Sequence, residues 1–177
     1  MRLALCLCLL AGTAAAEDPG LYGTTNPDEM TMARVLERAE RGEVDMMVCA
    51  SGYMATKSGR HGQARTIFEA CASAGYTAAM TWMSQLDHNG LGGPEDPDRA
   101  TEWSRMASER GDPVGHYNHG IDMMRGRGVP QDVEAGRRLV DRAAGQGLRI
   151  AQRLQRSGYD LDAVTPDADN WKFGPVF

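Results

Sequence analysis

Residues 111–147 read GDPVGHYNHGIDMMRGRGVPQDVEAGRRLVDRAAGQG, and the punctuation of this stretch decides how it folds. Asp112 followed by Pro113 is an N-cap and a first helical residue: the carboxylate accepts an orphan backbone N–H, and proline has none to lose there. Gly126 falls where that helix should stop, because glycine enters the left-handed conformation without a Cβ clash. The turn Gly126-Arg127-Gly128-Val129-Pro130-Gln131-Asp132 then leads into a second helical run that closes on Gly147. The stretch predicts helix, glycine turn, helix.

Working outward, the same grammar recurs. Glycines stand in one setting at Gly42, Gly75, Gly111 and Gly147, at intervals of 33, 36 and 36 residues. Gly90-Leu91-Gly92 and Pro94-Glu95-Asp96 repeat the turn, and Asp96-Pro97 repeats the cap. Aligned on the glycines, Ala64, Ala100 and Gly136 share one column, Ile67, Trp103 and Leu139 another, and Cys71, Ala107 and Ala143 a third. In the preceding helices Met46, Ala79 and Gly115 align, as do Ser51, Ser84 and Gly120. Small and large residues alternating at helical spacing with a period near 36 are the mark of stacked helix pairs, each needing its neighbours to cover its apolar face. The first unit departs from the pattern: it is three residues short and has Lys57 where the first turn glycine belongs. Upstream, Asp28 to Arg41 predicts one capping helix with Met32, Val35, Leu36 and Ala39 on one face; downstream, Leu148 to Arg156 starts a further helix with Ala151 and Leu154 inward.

The stretch Gly111-Asp112-Pro113, Tyr117-Asn118, Gly120, Gly126 to Asp132 and Ala143-Ala144-Gly145-Gln146-Gly147 resembles the Sel-one-like repeat (SLR), a branch of the tetratricopeptide superfamily. The resemblance runs from Ala39 to Gly147. It implies an all-α, right-handed αα-hairpin solenoid of about three repeats with a capping helix at each end, whose first helices line a concave groove that binds a protein or peptide. By analogy with that groove, the implied partner-binding columns are Trp82, Gln85, His88 and Asn89 in the second repeat, and Tyr117, Asn118, Ile121 and Arg125 in the third. Asn118 matches the asparagine that holds a peptide backbone in related repeats, since an amide both donates and accepts.

The first sixteen residues read as an export signal: Met1-Arg2 is a short basic start, Leu3 to Leu10 an apolar run, and Ala14-Ala15-Ala16 a cleavage site. That run is too short to span a bilayer, and no later segment approaches the length required. The expected layout is therefore a signal over 1–16, an N-terminal segment and cap over 17–41, three repeats over 42–147, a C-terminal cap over 148–158, and an extended aromatic tail over 159–177. The location expected is the periplasm, or outside the cell. Losing the leader removes Arg2 and no acid, moving the net charge from −5 to −6, which disfavours a nucleic-acid role. Cys6 and Cys8 leave with the leader, so the remaining pair Cys49 and Cys71 is a disulfide candidate by compartment. The glycine alignment complicates the bridge, placing Cys49 in a groove-facing column and Cys71 at the helix contact.

Other chemistries are weaker. His116, His119 and Met123 lie on neighbouring turns and suit a soft metal such as copper. The alignment separates them, with His119 in a buried leucine column and His116 at a surface position, so no metal or other cofactor is expected. The sequence holds no G-x-S-x-G or H-E-x-x-H motif, and no strand precedes Gly126-Arg127-Gly128 to make it a phosphate loop. A cell-envelope hydrolase or a lactam- or peptidoglycan-related binder is the alternative function. The tail ends Trp171-Lys172-Phe173-Gly174-Pro175-Val176-Phe177; it either docks on the last helix or serves as a recognition segment for a partner or a second copy, a weak self-association.

Overall fold

The computed structural model describes residues 31–164. The expected leader, the beginning of the capping segment and the tail from residue 165 lie outside the described residues. The helices are α1 (Met32–Glu40), α2 (Met46–Lys57), α3 (His61–Ser73), α4 (Thr77–His88), α5 (Pro97–Glu109), α6 (Pro113–Arg125), α7 (Val133–Gly145) and α8 (Arg149–Arg156). No strand occurs among the described residues. Each helix packs on the next, α1 reaches past α2 to α3, and α4 touches α6. This is an all-helical solenoid: the pairs α2–α3, α4–α5 and α6–α7 stack in chain order between α1 and α8.

Local chemistry starts the helices, at Asp96 and Asp112 as expected and at Asp45 and Asp132 by the same device. Carboxylate oxygens of Asp45, Asp96 and Asp132 accept the backbone N–H of Val48, Arg99 and Ala135 at 2.8, 3.0 and 2.8 Å. Asp112 accepts from both Val114 and Gly115, and Gly126 ends α6 at φ 67°. Each such cap satisfies backbone donors that the helix itself cannot. The capping helix begins at Met32 with Thr31 as its cap.

The turns carry the contact between repeats. A Cβ on Gly128 would fall 2.1 Å from the Pro97 carbonyl oxygen, and one on Gly92 would fall 2.6 Å from His61. The two sites are equivalent, since α3 and α5 start 36 residues apart. Beside them Arg65 Nε donates to the Leu91 carbonyl at 2.7 Å and Thr101 Oγ1 to the Arg127 carbonyl at 2.8 Å. Each glycine turn therefore seats on the second helix of the preceding repeat. Arg65 also pairs at 2.5 Å with Asp87, whose side chain is 2% exposed, tying α3 to α4.

The first repeat corrects the glycine alignment. Helix α2 starts 31 residues before α4, whereas α4 starts 36 before α6, as α3 does before α5. The link from Gly42 to Asp45 is longer than its counterparts, and the turn at 58–60 is shorter than that at 89–96. Every α2 residue therefore shifts by two positions. Cys49 leaves the groove column, is fully buried, and forms the disulfide with Cys71 at a Cα–Cα distance of 6.0 Å.

The expected fully extended tail is also corrected at its start: Leu161–Ala163 form one 3₁₀ turn, capped by Asp160 through the Asp162 N–H. Val164 after it is extended, at φ −141° and ψ 153°.

Candidate functional site

The first helices α2, α4, α6 and α8 present equivalent rows once aligned by their starts. One row runs Met47, Ala78, Val114; another runs Met54, Gln85, Ile121. Exposure falls steeply along both. Met47 and Met54 are 58% and 60% exposed, Ala78 is 2% exposed, and Val114 and Ile121 are fully buried. Met46 at the start of α2 is 66% exposed. The row is open at its first repeat and closed at its third.

That gradient corrects the groove residues expected from the resemblance. Trp82, His88, Tyr117, Asn118 and Ile121 are all buried; Gln85 is partly exposed, and Asn89 and Arg125 face solvent. Trp82 stacks on Phe68 with ring centroids 5.8 Å apart and meets Tyr53 edge-on at 5.5 Å, with the Lys57 ammonium 5.6 Å from its ring. It anchors the second repeat on the first. His88 turns away from any groove and puts Nε2 3.2 Å from a carboxylate oxygen of Asp122, both side chains 2% exposed. Tyr117 and Ile121 lie in one apolar cluster with Val140, Leu154 and Val164. Asn89 Nδ2 caps its own helix by donating to the Gln85 carbonyl at 2.7 Å. Arg125 holds the returning chain, donating to the Leu161 carbonyl and, at 3.2 Å, to that of Val164.

The physical reason is the number of neighbours. From Ala78 to His88 every α4 side chain except Gln85 is buried. A helix packed between the preceding pair, its own partner and the next first helix has little circumference left for solvent.

The methionine face was missed because glycine alignment misplaces α2. The signal for it was present: Asp45 is the counterpart of Asp112 as an N-cap, and alignment on caps sets Met47 and Met54 in the inner rows. Tyr53 and Lys57 border that face, with the Lys57 ammonium 5.0 Å from the Tyr53 ring.

The histidines also change places. His116 is 3% exposed and its Nδ1 meets Ser108 Oγ at 2.7 Å, while His119 is partly exposed. Burial pushes both imidazoles below the ordinary histidine value. No group of three His, Cys, Asp or Glu side chains suited to a metal occurs among the described residues. Met123 is partly exposed. The Ser108–His116 pair has the residue types of a nucleophile and its base, but both side chains are buried between α5 and α6, which leaves a substrate carbonyl no approach.

No described helix is long and apolar enough to cross a membrane. The family model of the Sel1 repeat matches residues 77–112 and 113–148, the α4–α5 and α6–α7 pairs. An ERAD-associated E3 ubiquitin-protein ligase component of Arabidopsis thaliana is 34% identical over 67 residues, 33% of this chain and 11% of that protein. Among solved structures, a Sel1 repeat protein from Oxalobacter formigenes aligns with a TM-score of 0.63 at 18% identity, over 80% of this chain and 58% of that one. A protective antigen of uropathogenic Escherichia coli with an SLR fold aligns at 0.51 and 21% identity, over 77% and 35% of the two chains. This chain thus spans only part of each of them. The structural likenesses bear on the fold.

Proposed function

For a chain that carries two Sel1 repeats, with a third helix pair stacked on them, we propose an exported adaptor that binds a protein or peptide partner through the open end of its inner face. Sel1 repeats are helical protein-interaction modules, and families built on them are typically non-catalytic scaffolds. The observation that carries the reading is the cluster of Met46, Met47 and Met54, each more than half exposed on α2. Methionine is flexible and polarisable, so such a face adapts to an apolar segment of a partner. Contiguous exposed apolar surface marks an interaction site more often than it marks chance. Tyr53 and Lys57 at its edge add an aromatic wall and a cation.

Export rests on the leader-like residues 1–16, and the Cys49–Cys71 bridge fits an oxidising compartment such as the periplasm. The test is affinity capture from envelope extract with the wild type and with Met47→Ser plus Met54→Ser. Both positions are exposed, so the fold should tolerate them. A stoichiometric partner that disappears with the double variant supports the reading. Equal recovery of every captured protein removes the α2 face from it.

A further inference from the structure

Helix α2 is apolar on two sides. Its sequence, MMVCASGYMATK, holds no carboxylate and a single charge, and its buried residues are Val48, Cys49, Gly52 and Ala55. Met46, Met47, Ala50, Tyr53, Met54 and Lys57 recur at the spacing of three and four residues that puts side chains on one helix face, and none of the six is buried. The three methionines are each more than half exposed. A helix apolar all round is ordinarily covered all round, whereas α2 is covered on one side only.

The two ends of this stripe carry opposite charge. Lys57 ends α2, and its ammonium lies over the Tyr53 and Trp82 rings with no carboxylate paired to it. Glu43 and Asp45 precede the first turn, with side chains 54% and 50% exposed. They meet Arg41 and Arg38, and each carboxylate keeps lone pairs for a further cation.

A stripe that is acidic before its start, apolar through its middle and basic at its end fits an antiparallel copy of itself. With a two-fold axis at Ala50, Met46 meets Met54 of the second copy, Met47 meets its Tyr53, and Lys57 comes level with its Glu43. Ala50 meets Ala50, so the smallest side chain of the stripe stands at the crossing and lets the helices approach closely. Because α2 is the first of the inner helices, the same axis carries the remaining repeats of the two copies away on opposite sides of the contact.

We propose that α2 is a homodimer interface: two copies pack antiparallel about Ala50, the methionines of each covering those of the other and Lys57 of each facing Glu43 of the other. The contact is isologous, the same patch on both copies. The proposal rests on the reading of the α2 face given above and names a second copy of this chain as what that face takes. A helix of 12 residues offers a small contact, below the ~1,200 Å² of a standard interface, so the association is reversible and concentration-dependent.

Sedimentation equilibrium of the intact protein from about 5 to 500 µM should show monomer giving way to dimer, with no larger species, because an isologous contact closes on itself. Met47→Ser plus Met54→Ser should weaken the association at least about tenfold, as expected for loss of central apolar anchors. Lys57→Glu should weaken it too, and adding Glu43→Lys in the same chain should restore it. The two positions lie about 20 Å apart along α2 at 1.5 Å per residue, so the rescue reports pairing between copies and not within one. A protein that is monomeric at every concentration overturns the proposal, as does a dimer that the methionine variant leaves intact or a charge loss that the swap does not restore. A second measurement does not depend on those variants folding: Ala50→Cys under mild oxidation should give a covalent dimer, and Glu134→Cys, exposed on α7, should not. Equal yields of the two refute the two-fold. A monomer that still captures a partner through Met47 and Met54 would sink the dimer and leave the adaptor reading standing; a dimer that captures nothing would do the reverse.

Discussion

His88 on α4 and Asp122 on α6 face each other at 3.2 Å across the boundary between the second and third repeats, each with a side chain 2% exposed. In the helix-start alignment Asp122 stands where the second repeat has Leu86, and His88 where the third has Met124. A buried polar pair therefore occupies columns that hold apolar residues in the adjacent repeat. Nδ1 of His88 has no hydrogen-bond partner, which makes the pair dependent on its single contact.

Removing one member strands the other. Asp122→Ala is expected to cost about 1–3 kcal/mol, the usual penalty for leaving a buried hydrogen-bonding group without its partner. The double variant His88→Met plus Asp122→Leu, which copies the neighbouring repeats, should recover more than half of that loss. Urea unfolding of both variants decides; a double variant no more stable than the single one would show that the junction cannot be made apolar.

The Cys49–Cys71 bridge closes a loop of sequence separation 22, and chain entropy alone makes such a closure worth about 3 kcal/mol. Cys71→Ser should lower the melting temperature by about 10 °C, given the usual scaling for a domain of this size. Intact-mass analysis of the wild type, alkylated without reductant, should show neither thiol labelled. Two labels would contradict the bridge.

Gly128 and Gly147 share a left-handed backbone, φ 66° and 94°, but only Gly128 is crowded: a Cβ there meets Pro97, and one on Gly147 meets nothing within 4 Å. Gly147→Ala should cost about 1–2 kcal/mol for the backbone alone. Gly128→Ala should cost clearly more, because the turn must lift off α5. Matched thermal melts test the difference, and equal losses would mean that the turn does not clamp the repeats.

Stability should fall on mild acidification. Burial lowers the native pKa of His116, with Arg142 adding to the effect and Asp112 opposing it. For His119 burial again leads, Arg105 adds to it, and Asp122 opposes it. A native value below the unfolded one means that the unfolded chain binds more protons, so this contribution is complete above pH ~6.5 and is lost as pH falls through the native value. The lowered values of Asp45 and Glu102 act only further down, below the ordinary carboxylate range. The denaturation midpoint should therefore be flat from pH 7 to 8 and decline toward pH 5. His116→Asn, which keeps an amide facing Ser108, should flatten part of that decline; an unchanged profile would remove His116 as a source.

The amino-acid order by itself determined the helices and their pairing among the described residues, because caps, left-handed glycines and apolar spacing act within a few residues of where they are written. Asp112-Pro113, Asp96-Pro97 and Gly126 each state a helix boundary locally. Burial around a helix is different, because it depends on what covers it from every side. Trp82 and Tyr117 look alike whether they line a groove or fill a core; only the packing of Phe68 and Tyr53 against one, and of Leu154 and Val164 around the other, puts them inside. The position of Cys49 turned on a two-residue difference in how linker and turn share their length, which glycine spacing does not resolve. The return of Val164 to Arg125 joins residues 39 apart, a contact no local rule specifies. Tertiary packing alone therefore decided where the inner face is open, at Met46, Met47 and Met54, and where it is closed.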